Sequence, residues 1–308
     1  MDCIAQSDGA FFPHGGGSPY NVARAVARQG KTVIFANPIS TDGFGQQLAE
    51  QLIRDGAHLG MPRNALPTSL AIVIFPTGDR KQPSYQFYRE GVADRAFTEA
   101  QALAYLASFP APGVLHTGSL ALVPPEAHKT LAIVRAARAL GWTISMDINL
   151  RPRLAQDMDA YCAIMMEFIT CADWLKASDE DLETLLQGGH TLAGLVGADV
   201  SYERAPALAA PLIAMGVQRL ALTFGAQGAY LQVGAKHAQA AAPVVQVVDT
   251  VGAGDTFWGT CLVDWVGSVD WSGGNTPPVT ATLHKALKAA ALNCTVTGCN
   301  PPTRAELL

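Results

Sequence analysis

The chain has 308 residues, a mass of 32.4 kDa and a hydrophobic fraction of 49%, which suits one large domain with a filled core. Its formal charge of −5, without a basic cluster, argues against a nucleic-acid partner. No apolar run approaches the roughly 20 residues of a membrane span, and the first residues lack a signal-peptide pattern. The six cysteines have no zinc-site spacing, so we expect free thiols in a reduced cytoplasm.

Apolar runs of strand length alternate along the chain with helical patterns, which predicts an α/β fold with a mostly parallel central sheet. The predicted core strands are residues 32–36, 113–116, 143–147 and 219–223. The predicted helices are residues 20–29, 44–55, 126–140, 158–171 and 179–186. The alanine-rich stretch 235–242 has the composition of a linker.

Residues 68–98 depart from this alternation because they hold two β-rich stretches, 69–75 and 84–89. The polar segment 76–83 between these stretches predicts a hairpin turn. A hairpin inserted in an α/β chain can serve as a lid over a pocket, and an ordinary surface hairpin is the alternative.

The most informative segment ends a strand, turns on glycines and opens a helix. It runs from Asp249 to Phe257 and reads Asp-Thr-Val-Gly-Ala-Gly-Asp-Thr-Phe. A tight glycine turn exposes consecutive N–H groups, and the first turn of the helix adds its unpaired donors and partial positive charge. This arrangement predicts a socket for an anion. Asp255 lies inside it, where a carboxylate can take a proton from an attacking hydroxyl, so the segment indicates phosphoryl transfer.

A second glycine cluster, residues 15–17, opens directly into a helix. Its glycines allow the backbone to approach a ligand closely, and Asn21 on the first helical turn offers both a donor and an acceptor to paired hydroxyls. Because ordinary turns use the same residues, a structural turn is an equal alternative.

Two further segments follow predicted strands. Asp147, Asn149 and Arg151 stand at the carboxyl end of one strand, where open α/β sheets bind ligands, and they would point the same way if the strand continued. A solvated strand end is the alternative reading. The glycine turn 223–229 follows another strand, and it can either host a nucleotide or form a hairpin.

Together and in this order, these segments resemble the PfkB/ribokinase family of carbohydrate kinases. The resemblance covers essentially the whole chain, and the string around Asp255 is its most specific part. It implies a three-layer α/β/α sandwich with a mostly parallel central sheet and a small β lid. We therefore expect a single kinase domain over residues 1–308, with a lid from about 4–14 and 68–98. Within the family, the chain looks most like bacterial fructokinases, and the 2-keto-3-deoxygluconate kinases are close neighbours.

The resemblance also implies roles for individual residues. Asp255 would be the general base, and the backbone of Gly252, Ala253 and Gly254 would form the anion hole. The sugar-binding residues would be Asp2, Gly16, Asn21, Arg89, Asn149 and Arg151. The ATP-binding residues would be Lys176, Ser178, Thr223, Gly225, Gly228 and Asn293. Mg²⁺ would bridge the phosphates of ATP, and K⁺ would lie near Asp249 and Thr250. The lids of two copies would pair in a homodimer.

Two departures from the family pattern bear on the site. Family members begin with a strand that reads roughly Gly-Glu-x-Leu-x-Asp, and Met1-Asp2 matches only its end. We therefore expect the natural start to lie further upstream, with Asp2 as the sugar ligand. Where the family often carries Asn-x-x-Glu to organise magnesium and phosphate, the chain has Ser178-Asp179-Glu180-Asp181.

Three functions remain open at this stage. An ATP-dependent fructokinase fits best. A 2-keto-3-deoxygluconate kinase would need cations for its carboxylate substrate, which Arg89 and Arg151 can supply. A catalytically silent sugar-binding member is the third, although such a protein has no need for a base in an anion socket. A dinucleotide-dependent oxidoreductase fits poorly, because no Gly-x-Gly-x-x-Gly follows a first strand.

Overall fold

The computed structural model describes residues 1–5, 9–74, 84–109, 112–187, 199–268 and 278–308. The strands are β1 (Asp2–Ala5), β2 (Phe11–His14), β3 (Ile34–Phe35), β4 (His58–Leu59), β5 (Leu70–Ile74), β6 (Ser84–Tyr88), β7 (Val114–Gly118), β8 (Thr143–Asp147), β9 (Trp174–Ser178), β10 (Arg219–Thr223), β11 (Ala229–Val233) and β12 (Lys236–Ala240). The helices are α1 (Ser18–Arg28), α2 (Gly43–Arg54), α3 (Glu99–Ala107), α4 (Glu126–Ala139), α5 (Met158–Cys171), α6 (Asp179–Gln187), α7 (Ala205–Ala214), α8 (Ala253–Ser268), α9 (Val279–Asn293) and α10 (Arg304–Leu307). Within these residues, no helix is both long and apolar enough to cross a membrane.

The chain forms two compact units. The first comprises Met1–Phe97, Gln246–Gly259 and Leu292–Leu308, and the second comprises Thr98–Val245 and Thr260–Ala291. The start of α8 therefore belongs to the first unit and the rest of this helix to the second.

The first unit contains a four-stranded sheet in the order β2-β1-β5-β6. β1 pairs in parallel with β5, and the other neighbours are antiparallel. The predicted hairpin is confirmed as β5 and β6. The two N-terminal strands, β1 and β2, join the same sheet on the side of β5. The predicted turn 76–83 lies outside the described residues. We call this four-stranded sheet the lid sheet.

The prediction that residues 32–36 form a core strand is wrong. Only β3 is extended there, and it pairs in parallel with β4 as a separate two-stranded sheet. The apolar run has another reason: Val33 and Phe35 pack against a cluster that includes Tyr20 of α1 and Leu52 of α2. Burial between helices and burial in a sheet give the same sequence signal over so short a run.

Helix α2 is capped by a carboxylate that also binds the segment leading into the lid sheet. Asp42 is its N-cap and accepts a hydrogen bond from Gly45 N at 2.7 Å. The same carboxylate accepts bonds from the backbone N–H and the hydroxyl of Thr68, both at 2.7 Å, two residues before β5. Burial alone would raise the pKa of Asp42, but these hydrogen bonds to its charged form outweigh it and lower the pKa to about 2.

This lowered pKa gives a stability prediction with a definite sign. The ordinary pKa is 3.8, so the contribution of Asp42 is complete above roughly pH 4 and is lost as the pH falls through about 2. We expect Asp42→Asn to lower the free energy of unfolding at neutral pH by about 1 kcal/mol, because the hydrogen bonds from Gly45 and Thr68 lose their charged acceptor. In urea titrations, the gap between wild type and variant should shrink as the pH approaches 2. A gap that stays constant would contradict this assignment.

The second unit is built on a six-stranded sheet in the order β12-β11-β10-β9-β8-β7. Strands β7 to β10 are parallel, and β11 and β12 add an antiparallel edge. The predicted strands 143–147 and 219–223 are confirmed at their bounds, and the strand predicted from 113 continues to Gly118. The alanine-rich stretch predicted as a linker is instead β12, because a turn with Gly234 at φ +57° folds it back onto β11.

Helices cover this sheet in the way an α/β core requires. α4 contacts α3, α5 and β8, while α6 contacts β9 and α7 contacts β10. α5 begins at Asp157, which caps Ala160 N at 3.0 Å, and it buries Tyr161, Met165 and Phe168 at helical spacing. Strand β8 is correspondingly apolar, with Ile144 and Met146 fully buried.

Candidate active site

The glycine turn before α8 requires glycine at its first position. Gly252 has φ +75°, a conformation that side chains disfavour. A Cβ at this position would lie 2.3 Å from the sulfur of Cys299 and 2.6 Å from its Cβ. Cys299 thus forms the floor of the turn, and the turn cannot take this shape with a larger residue.

Backbone donors are exposed at the start of α8. Thr256 N makes the first regular helical bond, to Gly252 O at 2.8 Å, and Ala253 N donates to Thr250 O at 3.2 Å. Across the described ranges, no acceptor is found for the N–H groups of Gly252, Gly254 and Asp255. The donors open to an anion are therefore these three. The prediction for Ala253 needs correction, because its N–H already has a partner within the turn.

The carboxylate of Asp255 is held in place by α1. Its side chain is buried, and Oδ2 accepts a hydrogen bond from Asn21 Nδ2 at 2.8 Å. A carboxylate only accepts hydrogen bonds, so this contact fixes which end of the Asn21 amide points to it. Asn21 Oδ1 is also buried and has no hydrogen-bond partner within the part of the chain that the structure describes. An acceptor without a partner therefore lies beside the proposed base.

The second glycine cluster brings another carboxylate into the first unit's site. A Cβ on Gly16 would lie 1.8 Å from Oδ2 of Asp2, so the Asp2 carboxylate rests directly on the backbone of this glycine. Asp2 and Asp255 also act on a common group. Burial raises the pKa of the Cys299 thiol, and the charges of Asp255 and Asp2 raise it further. Asp2, Gly16, Asn21 and Asp255 are thus brought together, as the sequence predicted.

A substitution at Gly16 tests this placement of Asp2. We expect Gly16→Ala to fold normally, because the clashing atom is the end of a movable side chain, but to displace the Asp2 carboxylate. Loss of a hydrogen bond to a charged group is worth about 1.5–3 kcal/mol, so KM for the sugar should rise roughly 10- to 100-fold while KM for ATP stays constant. Gly43→Ala is the matched control, since nothing lies within 4 Å of a Cβ there. An unchanged sugar KM would contradict the role of Asp2.

Arg89, predicted on the sugar side, is engaged at the base of the lid sheet. Its guanidinium forms an ion pair with Asp94 at 3.3 Å, and Asp94 also accepts a hydrogen bond from the hydroxyl of Ser69. Ser69 O in turn accepts from the Met1 amine at 3.0 Å. These contacts give Arg89 a structural role in joining β1, β5 and β6.

In the second unit, Lys176 is committed to a buried ion pair. Its Nζ lies 2.9 Å from both carboxylate oxygens of Asp147, and the two side chains are 5% and 0% exposed. The expectation that Asp147, Asn149 and Arg151 face the same way is wrong. β8 ends at Asp147, and Asn149 adopts φ +40°, so the alternation of a strand does not continue.

Arg151 folds back onto the loop that carries it. Its NH1 group donates to Asn149 O at 3.1 Å, to Leu150 O at 2.8 Å and to Asn149 Oδ1. Asn149 and Arg151 therefore stabilise the turn after β8, and the NH1 group of the guanidinium is engaged within it.

Ser178 and Thr223 lie side by side at the carboxyl edge of the parallel strands β9 and β10. Ser178 Oγ accepts from Asp181 N at 3.1 Å, and Asp181 Oδ2 accepts from Ser178 N at 2.8 Å, which is a reciprocal cap for α6. Asp181 Oδ1 accepts from Leu150 N at 2.6 Å. Both oxygens of Asp181 are therefore used within the protein.

The glycine turn after β10 forms the hairpin that joins β10 to β11. Phe224 N donates to Gly228 O at 2.9 Å. Gly225 has φ +51° and Gly228 has φ +123°, and a Cβ on Gly228 would lie 2.1 Å from Ala240 O. The hairpin thus explains both glycines, and it places the turn at the sheet edge where α/β proteins bind ligands.

Asn293 does not offer its amide to a nucleotide, which corrects its predicted place on the adenine side. The side chain is fully buried, and Nδ2 donates to Val251 O at 2.8 Å. Its Oδ1 accepts from Asn300 N at 2.8 Å and from the hydroxyl of Thr256 at 3.4 Å. Each polar atom of this amide has a partner within the first unit.

The predicted cation residues are also tied to the backbone. Asp249 Oδ1 accepts from Val251 N at 3.0 Å, and Oδ2 accepts from Gly298 N at 2.8 Å. Among the residues that the structure describes, no group of three or more His, Cys, Asp or Glu side chains could hold a metal ion. Any cation near Asp249 and Thr250 would thus depend on backbone oxygens.

The sequence did not predict that Arg24 supports the glycine turn through Cys299. Arg24 of α1 is 2% exposed, and it donates to Cys299 O at 2.7 Å and to Asp55 at 2.6 Å. The available signal was a charged residue between alanines on the apolar face of α1. Its partner Cys299 is 275 residues away, and no local pattern points to it.

Comparisons with known proteins identify the family of the chain. Residues 7–306 match the model of the pfkB family of carbohydrate kinases. The chain belongs to this family. The PfkB kinase described here is 32% identical over 256 residues to a fructokinase of Rhizobium leguminosarum bv. trifolii, covering 80% of this chain and 70% of that protein.

Two solved structures support the same assignment of fold. The fructokinase of Xylella fastidiosa with bound ATP has a TM-score of 0.80 and 26% identity, over 99% of this chain and 93% of that one. A double mutant of Vibrio cholerae O395 fructokinase, bound to fructose, ADP and potassium ion, has a TM-score of 0.80, 25% identity and the same coverage. The predicted three-layer α/β/α fold with a small β lid is thereby confirmed for this PfkB kinase.

Proposed function

We propose that this PfkB kinase transfers the γ-phosphate of ATP to a hydroxyl of D-fructose, with Asp255 as the general base. One observation carries the proposal: a buried carboxylate, fixed by Asn21, stands beside three backbone donors that lack an acceptor among the described residues. The fructokinases with similar sequences and structures support fructose as the sugar.

The chemistry follows from this placement. As the sugar oxygen forms its bond to the γ-phosphorus, the bond from phosphorus to the leaving ADP oxygen breaks and the hydroxyl proton passes to Asp255. General base catalysis of this kind contributes about 10² to 10⁴ in rate. The N–H groups of Gly252, Gly254 and Asp255 would receive the negative charge of the transferring group, which is the main electrostatic demand of phosphoryl transfer.

The sugar would be held from the first unit. Asp2 can accept from sugar hydroxyls, and the unpartnered Asn21 Oδ1 can accept from another, which would satisfy a buried acceptor. Gly16 allows the Asp2 carboxylate to lie close to the backbone.

The nucleotide would be bound by Ser178 and Thr223 at the strand ends and by the glycine turn of Gly225 and Gly228. Mg²⁺ would neutralise the phosphates and be held mainly by them, because Asp181 is occupied and the described residues contain no carboxylate cluster. The Vibrio cholerae relative binds a potassium ion. In this chain, a monovalent ion such as K⁺ would use backbone oxygens near Asp249 and Thr250.

A 2-keto-3-deoxygluconate kinase is less well supported. A carboxylate substrate needs a free cation, whereas Arg89 is paired with Asp94 and Arg151 is bound to its own turn. Arg89 would have to give up its ion pair, and Arg151 already has its NH1 group engaged. To test this choice, kcat/KM would be measured for D-fructose and 2-keto-3-deoxygluconate in an ADP-release assay. We expect D-fructose to be preferred by at least tenfold. A preference for the keto acid would overturn the choice of sugar.

We also propose a homodimer formed through the lid sheet. Phe12 and Tyr85 are 54% and 37% exposed, and in the strand register they flank the buried Ile4 and Val73. Exposed aromatic residues at both edges of one sheet face are typical of interfaces. Sedimentation analysis should give a dimer for the wild type and a monomer for the Phe12→Ser/Tyr85→Ser variant. A monomeric wild type at micromolar concentration would contradict this.

A further inference from the structure

Helix α8 begins next to a backbone carbonyl that accepts a hydrogen bond from a side chain of α9. In a regular helix, each N–H donates to the carbonyl four residues before it, so Asp255 N–H would pair with Val251 O if α8 began one residue earlier. Val251 O instead accepts from Asn293 Nδ2 at 2.8 Å. Asp255 N–H is left without an acceptor within the described chain.

We infer that Asn293 is a positioning residue that sets the start of α8 and thereby keeps the anion socket open. Its amide makes hydrogen bonds with three groups around the socket: the carbonyl of Val251 in the turn, the hydroxyl of Thr256 on the first helical turn, and the N–H of Asn300. Asn300 follows Cys299, whose sulfur forms the floor under Gly252.

The burial of Asn293 explains why an amide is needed there. A fully buried polar side chain costs free energy unless it is hydrogen-bonded. An amide can donate to Val251 O and accept from Asn300 N at the same time. Aspartate has a similar shape but no donor, so it would place a negative oxygen against Val251 O. Leucine fills a similar volume, but it frees Val251 O to pair with Asp255 N–H and leaves Asn300 N–H without its acceptor.

The inference rests on the proposed kinase function, and its test separates the two. In Asn293→Leu and Asn293→Asp we expect kcat for sugar phosphorylation to fall at least tenfold, since a lost oxyanion donor costs about 10² to 10³. KM for the sugar should stay within threefold. Hydrogen exchange of the peptide 249–257, read by mass spectrometry without substrates, should be slower than in the wild type, because Asp255 N–H can then pair with Val251 O.

Thr282→Val is the matched control. Thr282 is also fully buried on α9 and donates to Asp264 of α8 at 3.0 Å, so this variant removes a similar contact away from the socket. It should lower thermal stability while kcat and the exchange of 249–257 stay unchanged. If Asn293→Leu behaves like Thr282→Val in both measurements, the inference is wrong. An inactive wild type would refute the kinase function, and the exchange data would still decide the role of Asn293.

Discussion

Replacing Asp255 by asparagine is expected to lower kcat for sugar phosphorylation by about 10² to 10⁴, the range contributed by a general base. The fold should be retained, because the asparagine oxygen can still accept the hydrogen bond from Asn21 Nδ2. The uncharged amide cannot take a proton from the sugar hydroxyl. Steady-state kinetics would give kcat, and thermal unfolding would confirm that the variant is folded.

A control on the same helix separates the role of Asp255 from a general loss of charge. Asp264 lies further along α8 and pairs with Lys285 at 2.7 Å. Asp264→Asn should keep kcat within about threefold of the wild type, although losing a partly exposed ion pair costs up to roughly 1 kcal/mol of stability. Near-normal turnover by Asp255→Asn would rule out Asp255 as the base.

Gly252→Ala is expected to have the second large effect, because it adds a clash and a backbone strain at one position. A non-glycine residue at φ +75° costs about 1–2 kcal/mol, and overpacking against Cys299 adds about 1–3 kcal/mol. We expect the free energy of unfolding to fall by about 2–5 kcal/mol in urea titrations. In the folded fraction, kcat should fall by roughly 10² or more, since the socket donors move.

The two causes can be separated by a second substitution. Cys299→Gly removes the two atoms closest to the added methyl group but leaves the strain at φ +75°. Gly252→Ala should therefore lower kcat much less in the Cys299→Gly background than in the wild type. We expect the double variant Gly252→Ala/Cys299→Gly to keep more than half of the kcat of Cys299→Gly. No recovery would mean that the floor of the turn is not the contact that matters.

Local patterns were enough for much of the fold and for the centre of the site. β8 and β10 lie between clear turn signals, and their apolar residues are buried as parallel strands require. The socket was predictable for the same reason: a glycine turn, a helix start and Asp255 are neighbours in the chain. Asn21 and Gly16 followed from the second glycine cluster at a helix start.

Residues whose role depends on distant partners were not predictable. Lys176 was expected at the nucleotide, but Asp147 on the neighbouring strand binds it at 2.9 Å. Arg151 was expected at the sugar, and the left-handed turn at Asn149 directs it onto its own loop. Asn293 carried no local sign that Val251 and Asn300 would occupy its amide. For Lys176 and Asn293 a partner distant in the sequence decides which polar atoms are available, and for Arg151 the left-handed backbone at Asn149 does so.

The central claim is that this chain transfers phosphate from ATP to a sugar hydroxyl. The most direct measurement is ADP formation by the purified protein with ATP and Mg²⁺, compared with and without D-fructose. We expect ADP release to depend on the sugar, with one ADP formed for each fructose phosphate. Binding of fructose and ATP by calorimetry without sugar-dependent ADP formation would contradict the claim and identify a silent sugar-binding member of the family.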